Sequence, residues 1–186
     1  MPTQWTQDWT ARGNPLQIDS IPVGDAGGMI GITSCPGARD GWRDANLGTD
    51  LETIFRWNPQ AILTLIEADE IGADVFSALG KSVQSRGVGW HHLPIVDFRP
   101  PDERFETRWA SLGPELCRSI EDGARVLVHC YAGLGRAGSV AALMLIGMGF
   151  APPDAIALVR AARPGAIQTR DQERYVRQLS PSSAPN

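Results

Sequence analysis

One stretch of this 186-residue sequence, RVLVHCYAGLGRAGSVAALML at residues 125 to 145, has a chemical plan in its order. An apolar run of strand length ends at His129 and Cys130, five residues follow, then Arg136, then a second apolar run of helical length. Glycine lets a backbone turn its N–H groups inward, and the start of a helix adds unpaired donors and a positive dipole end. Tyr131, Ala132, Gly133, Leu134 and Gly135 are therefore expected to form a seat for a phosphate dianion. Arg136 completes it, because a planar guanidinium donates two parallel hydrogen bonds to phosphate oxygens, which lysine cannot imitate. The same positive environment acts on Cys130. A thiol placed this way falls from a pKa of about 8.5 to roughly 3.5–7.5, so a thiolate is expected at neutral pH. Such a thiolate can attack phosphorus and form a covalent thiophosphate, dividing one hard displacement into two. His129 is expected to orient the loop rather than to react. A buried, inert cysteine would need neither the spacing nor the glycines nor the arginine, so their coincidence favours the reactive reading.

A site of this kind needs a strand before it and a helix after it, and the rest of the sequence has the matching pattern. Strand-length apolar runs at 29–33, 61–66, 88–95 and 125–129 alternate with stretches of helical period. This predicts an α/β fold, with a central, mainly parallel sheet of four to five strands flanked by helices. Leu112, Leu116 and Ile120 mark an amphipathic helix, which Gly113-Pro114 is expected to restart or kink and Gly123 to end. A buried helix is expected over 139–148, and another over 153–162 with proline in its first turn. A third opens at Thr169, where Thr169 and Gln172 have the spacing of a capping box. The phosphate-binding domain is expected to span 28–179, preceded by an N-terminal extension over 1–27 and followed by a flexible tail over 180–186.

Composition excludes several classes. A net charge of -4 and a pI near 5.3 argue against broad nucleic-acid or anionic-membrane binding, so any anion must be bound locally. Three cysteines are too few for a disulfide framework, which points to a reducing, cytoplasmic setting, with Cys35 and Cys117 structural. The longest apolar stretch, about 140–150, is far short of the roughly 20 residues of a membrane-spanning helix. His91 and His92 are neighbours on a predicted strand and point to opposite faces, one to core and one to surface, which makes a poor metal chelate. No metal is expected, and a monomer is.

HCYAGLGR, together with HHLPIVDFRPPD at 91–102 and GAIQT at 165–169, resembles the protein tyrosine phosphatase superfamily, whose signature is His-Cys-x5-Arg. Within it, the likeness is to the small dual-specificity branch and its kinase-associated phosphatases, and it covers residues 28 to 179. The resemblance implies a dual-specificity phosphatase fold, no metal or organic cofactor, and a phosphoprotein or phosphopeptide partner. It implies hydrolysis of phosphotyrosine, extending to phosphoserine and phosphothreonine; kinase-associated phosphatases act on a threonine of cyclin-dependent kinases. It also implies a general acid on the loop after the third strand. Asp97 is the choice and Asp102 the rival, either supplying the leaving oxygen with its proton. Gln168 is implied to help place the hydrolytic water. Arg99, Arg104, Arg163 and Arg170 are either phosphopeptide contacts or solvated surface. One departure stands out: the family usually has Ser or Thr directly after the arginine, where this chain has Ala137, as do the slow phosphatases of regenerating liver. Two other uses of such a loop stay open, a phosphate-dependent binding module with little turnover and an enzyme acting on a non-protein phosphate ester. The absence of charge in residues 131–135 favours a singly phosphorylated residue.

Overall fold

The computed structural model describes residues 16–38 and 46–181. Its sheet has five strands: β1 Asp19–Val23, β2 Gly28–Thr33, β3 Ala61–Thr64, β4 Gly89–His92 and β5 Arg125–His129. Their spatial order is β1-β2-β5-β3-β4. β1 runs antiparallel to β2, with Ile21 opposite Ile30, and every other pairing is parallel. β5 thus lies in the middle, and its Val126, Leu127 and Val128 are fully buried, as expected of a strand covered on both faces.

Six helices complete the described fold: α1 Leu47–Trp57, α2 Ala73–Ser85, α3 Glu103–Glu121, α4 Gly135–Gly147, α5 Pro152–Ala162 and α6 Arg170–Arg177. The chain steps from β2 to β3 to β4 in one direction and returns from β4 to β5. Right-handed crossovers then put α1 and α2 on one face and α3 on the other. α4 is buried on all sides from Gly135 to Ile146, which is why its sequence is apolar all round. Thr169 caps α6 with the expected box, its Oγ1 accepting from the Gln172 N–H while Gln172 Oε1 accepts from the Thr169 N–H (both 3.1 Å).

Several expectations need correction. α3 is one continuous helix through Pro114, without a restart at Gly113. α4 begins four residues earlier than read, at Gly135. β3 and β4 are shorter than their apolar runs, because Leu65, Ile66, Leu93 and Ile95 are buried as the chain leaves the sheet. His91 and His92 are both half-buried, with His92 stacked on Trp90 and edge-on to Phe76. The sheet also crosses the boundary drawn at residue 28, since β1 lies within the stretch read as an extension. Residues 1–15 of that extension and 182–186 of the tail fall outside the described residues.

Candidate active site

Cys130 stands just past the carboxyl end of the middle strand and is 2% exposed. The loop it opens has each carbonyl from Cys130 to Leu134 tied to a neighbouring group. The Cys130 carbonyl accepts from His129 Nδ1 (3.4 Å), and that of Tyr131 accepts from the Cys35 N–H (2.9 Å). Those of Ala132 and Gly133 accept from Arg163 (3.0 and 2.6 Å), and that of Leu134 from the N–H groups of Gly138 and Ile167 (2.9 and 3.2 Å). A trans peptide holds its N–H antiparallel to its C=O, and the described residues contain no cis peptide. The N–H groups of Tyr131, Ala132, Gly133, Leu134 and Gly135 therefore turn away from these partners, a set of free donors of the kind that suits an anion. Gly133 is the residue that permits this path. Its φ is +70°, and a Cβ there would stand 2.3 Å from the Thr33 carbonyl oxygen.

His129 supports the loop from beneath, completely buried. The Cys130 carbonyl has only lone pairs, so His129 Nδ1 carries a proton, and in a neutral ring Nε2 is then left an acceptor for the Thr64 hydroxyl. The Trp90 N–H donates to Thr64 Oγ1 (2.9 Å), the Thr64 hydroxyl donates to His129 Nε2 (2.8 Å), and His129 Nδ1–H donates to the Cys130 carbonyl. The imidazole is neutral near pH 7 because burial pushes its pKa down to about 4.

Arg136 lies at the start of α4 with its side chain 1% exposed. Nη1 donates to Glu70 Oε1 (2.5 Å) and the Ile95 carbonyl (3.1 Å), while Nη2 donates to Glu70 Oε2 (2.9 Å) and pairs with Asp97 Oδ1 (2.9 Å). Nε is buried and has no acceptor among the described residues. Leaving a buried donor unsatisfied costs about 1–3 kcal/mol, so the position is one that a bound anion would relieve. Glu70 comes from a single 3-10 turn, Ala68–Glu70, after β3, and Asp97 from the loop after β4. The carboxyl ends of β3, β4 and β5 thus converge on one guanidinium, at the edge where open α/β sheets hold their ligands.

Residues 45–176 match the family described as Swiss Army Knife protein, DSP-PTPase phosphatase domain. The chain belongs to this phosphatase family. The phosphatase is 29% identical to cyclin-dependent kinase inhibitor 3 of Mus musculus over 169 residues, 89% of this chain and 79% of that one. It is 39% identical to protein tyrosine phosphatase type IVA 3 of Homo sapiens over 139 residues, 74% of each chain. Among solved structures it is similar to kinase associated phosphatase carrying a serine in place of its catalytic site cysteine. That likeness has a TM-score of 0.74 at 27% identity, over 88% of this chain and 93% of that one. The family and the mostly parallel, helix-flanked fold expected from the sequence both hold.

The other residues singled out in this phosphatase fall into distinct places. Asp102 N-caps α3, accepting from the Phe105 N–H (3.2 Å) and from Arg104 Nε (3.0 Å). Burial pushes its carboxyl up, but these donors outweigh burial and hold it below the usual range. The cap was not foreseen, although an aspartate after two prolines and three residues before Phe105 has the pattern of a helix start. Gln168 reaches the loop, for a Cβ on Gly135 would meet its Oε1 at 3.1 Å. Ser139 is turned away, its hydroxyl donating to the Gly135 carbonyl (2.8 Å), and Ala137 beside it is fully buried. Arg104 is an exposed arginine paired with Glu67 and Asp102. Arg163 belongs to neither class foreseen for it, being buried against the loop. Cys35 and Cys117 are buried free thiols, and burial pushes both up, Cys117 to about 11. Sequence reasoning missed Glu70, Thr64 and Trp90, which touch the site only through chain reversals of 66 residues for Glu70 and 65 for Thr64.

Proposed function

We propose that this phosphatase hydrolyses phosphoprotein esters through a thiophosphate on Cys130. The observation that carries the reading is the loop itself: carbonyls bound outward, N–H groups opposed to them, and Arg136 beside them with a buried, unpartnered Nε. A phosphate seated there accepts from the loop N–H groups and from Arg136. The Cys130 thiolate attacks phosphorus, an S–P bond forms, and the P–O ester bond breaks. Asp97, paired with the same guanidinium, supplies the proton to the departing oxygen. Water then attacks phosphorus with Asp97 accepting its proton, the S–P bond breaks, and the thiolate leaves restored. Gln168, beside Gly135, is positioned to orient that water. Asp102 is occupied as a helix cap, which supports Asp97 as the acid.

The substrate class follows from the rim. The loop side chains carry no charge to meet a second phosphate, and Val96, Phe98 and Tyr131, flanking Asp97 and Cys130, are exposed apolar residues suited to an aromatic phosphoester. Phosphotyrosine is the proposed preferred group, with phosphoserine and phosphothreonine as slower substrates. The relatives' cyclin-dependent kinase association supports a phosphoprotein partner. Cys130→Ser tests the reading: hydrolysis of an aryl phosphate should fall below detection while inorganic phosphate still binds, since the cradle is backbone and Arg136. Near-wild-type turnover by the serine variant would sink the covalent mechanism. A higher kcat/KM on phosphoinositides than on phosphotyrosyl peptides would overturn the substrate class.

A further inference from the structure

Arg163 lies behind the loop, and its fork is fully engaged. Nε donates to the Gly133 carbonyl (2.6 Å), Nη2 to the Ala132 carbonyl (3.0 Å), and Nη1 to Asp19 Oδ2 (2.6 Å). Its backbone is anchored too, where it ends α5 with its N–H on the Val159 carbonyl (2.8 Å). Asp19 opens β1, 144 residues away, and its Oδ1 accepts from Gln17 Nε2 (2.7 Å). We infer that Arg163, held by Asp19, is a positioning residue for the phosphate-binding N–H groups of the Cys130 loop. The inference rests on the reaction proposed at Cys130.

Gly133 is the point at which the loop would give way. A glycine with φ of +70° makes the inward path possible, but it also makes rotation of the two flanking peptide planes easy. Those planes are 132–133 and 133–134, whose carbonyls are the two that Arg163 holds. Each carbonyl turned toward Arg163 forces its partner N–H, on Gly133 or Leu134, toward the anion. Release of either bond would let a carbonyl oxygen swing into the cradle, replacing a donor with a partial negative charge. Reaching two adjacent carbonyls and a carboxylate at once requires the rigid, five-donor geometry of arginine. Asp19 sets the plane of the guanidinium. By this reading the β1 strand contributes to catalysis without approaching substrate.

The test uses Arg163→Lys and Asp19→Asn in the full chain, with active sites counted by iodoacetate labelling of Cys130. Three quantities are measured: kcat/KM on a small aryl phosphate per labelled site, inhibition of turnover by inorganic phosphate, and protection of Cys130 from alkylation by inorganic phosphate. Losing well-aimed donors costs roughly 10²–10³-fold, so Arg163→Lys should lose about 100-fold in kcat/KM and bind phosphate at least about tenfold more weakly. Asp19→Asn should show the same pattern at about tenfold. Inorganic phosphate should also protect Cys130 from alkylation less well in both, with half-protection at a higher phosphate concentration. Variants that only melt earlier, with all three readings at wild-type values per labelled site, would overturn the inference. If Arg163→Lys does not fold, Asp19→Asn decides on the same readings. If the wild type hydrolyses no phosphate ester, the reaction is wrong, while weakened phosphate inhibition of alkylation in the variants would still support the clamp.

Discussion

The loop from Cys130 to Gly135 and the loop from Leu93 to Asp102 meet at one guanidinium, yet they are held in different ways. The first exposes Tyr131 but is tied along its length by bonds from its neighbours: His129 beneath, Cys35 at its side, Arg163 behind, Gly138 and Ile167 at its end. The second carries Val96 at 47% and Phe98 at 59% exposure. Its tip is fastened to the start of α6 by Thr169 Oγ1 on the Phe98 carbonyl (3.3 Å) and Gln172 Nε2 on the Arg99 carbonyl (3.2 Å). Phe98 also has a φ of +59°, a conformation that costs a bulky residue of the order of 1–3 kcal/mol and that is concentrated at functional sites. On the reaction proposed above, the half of the site that would bind phosphate is prebuilt, and the half that would move the proton is lightly held. Substitutions that disturb the backbone of the first should damage binding and turnover together; those in the second, like loss of the Cys130 sulfur itself, should change turnover with little effect on phosphate binding.

The sharpest break of that contrast is Gly133→Ala. The methyl group would lie 2.3 Å from the Thr33 carbonyl oxygen, on backbone that cannot rotate away. Several anion donors would be misplaced at once, and single donors of this kind are worth roughly 10²–10³-fold, so kcat/KM should fall by more than about 10³-fold. Inorganic phosphate affinity should fall with it. A folded Gly133→Ala variant within tenfold of wild type would show that the loop is not rigidly prebuilt.

Asp97→Asn probes the lightly held loop. Aryl phosphates with poor leaving groups should slow by about 10²-fold or more, those with good leaving groups far less, and phosphate affinity should change little. Asp102→Asn should be nearly silent, because asparagine caps a helix about as well as aspartate. An exchange of these behaviours between the two variants would move the acid to Asp102.

Acid should attack the rigid half first. His129 has a folded pKa of about 4 against about 6.5 unfolded, so below pH 6.5 the unfolded chain binds the extra proton. Stability from this group is complete above pH 6.5 and is lost as pH falls toward 4, amounting to about 2 kcal/mol by pH 5. Urea unfolding of wild type and His129→Asn at pH 7 and pH 5 measures it, with a smaller pH dependence expected of the variant. Equal dependence in both would remove His129 as the sensitive group.

What the sequence disclosed about these two loops follows from how local their determinants are. The Cys130 loop was legible because strand, glycines, arginine and helix are contiguous, and the Thr169 cap because its partners are three residues apart. β1 was not, since Asp19–Val23 contains Pro22 and polar residues and is an edge strand, where proline is tolerated and alternation is weak. Arg163 read as one arginine among several, because nothing near it in the chain reveals that Asp19 and two loop carbonyls surround it. Glu70 was hidden for the same reason, in a run of acidic residues whose usual meaning is solvated surface.

The smallest effect concerns Ala137, which links the two halves in time. It is fully buried directly after Arg136, and the nearby Ser139 hydroxyl is already committed to the Gly135 carbonyl. No hydroxyl from these two residues is thus available to the sulfur as it leaves, and hydrolysis of the thiophosphate should be slower than its formation. A pre-steady-state assay on an aryl phosphate should show a burst of roughly one leaving group per site before a slower linear phase, the behaviour of an accumulating covalent intermediate. Ala137→Ser adds a donor where sulfur departs, and one ordinary hydrogen bond is worth about 1 kcal/mol, or roughly fivefold in rate. The slow phase should rise by about that factor, and the burst rate, which reports attack in the prebuilt half, should stay the same. A wild type with no burst, together with a serine variant no faster, would mean that the acid-assisted first step limits turnover. The lightly held loop, rather than Ala137, would then set the speed of the enzyme.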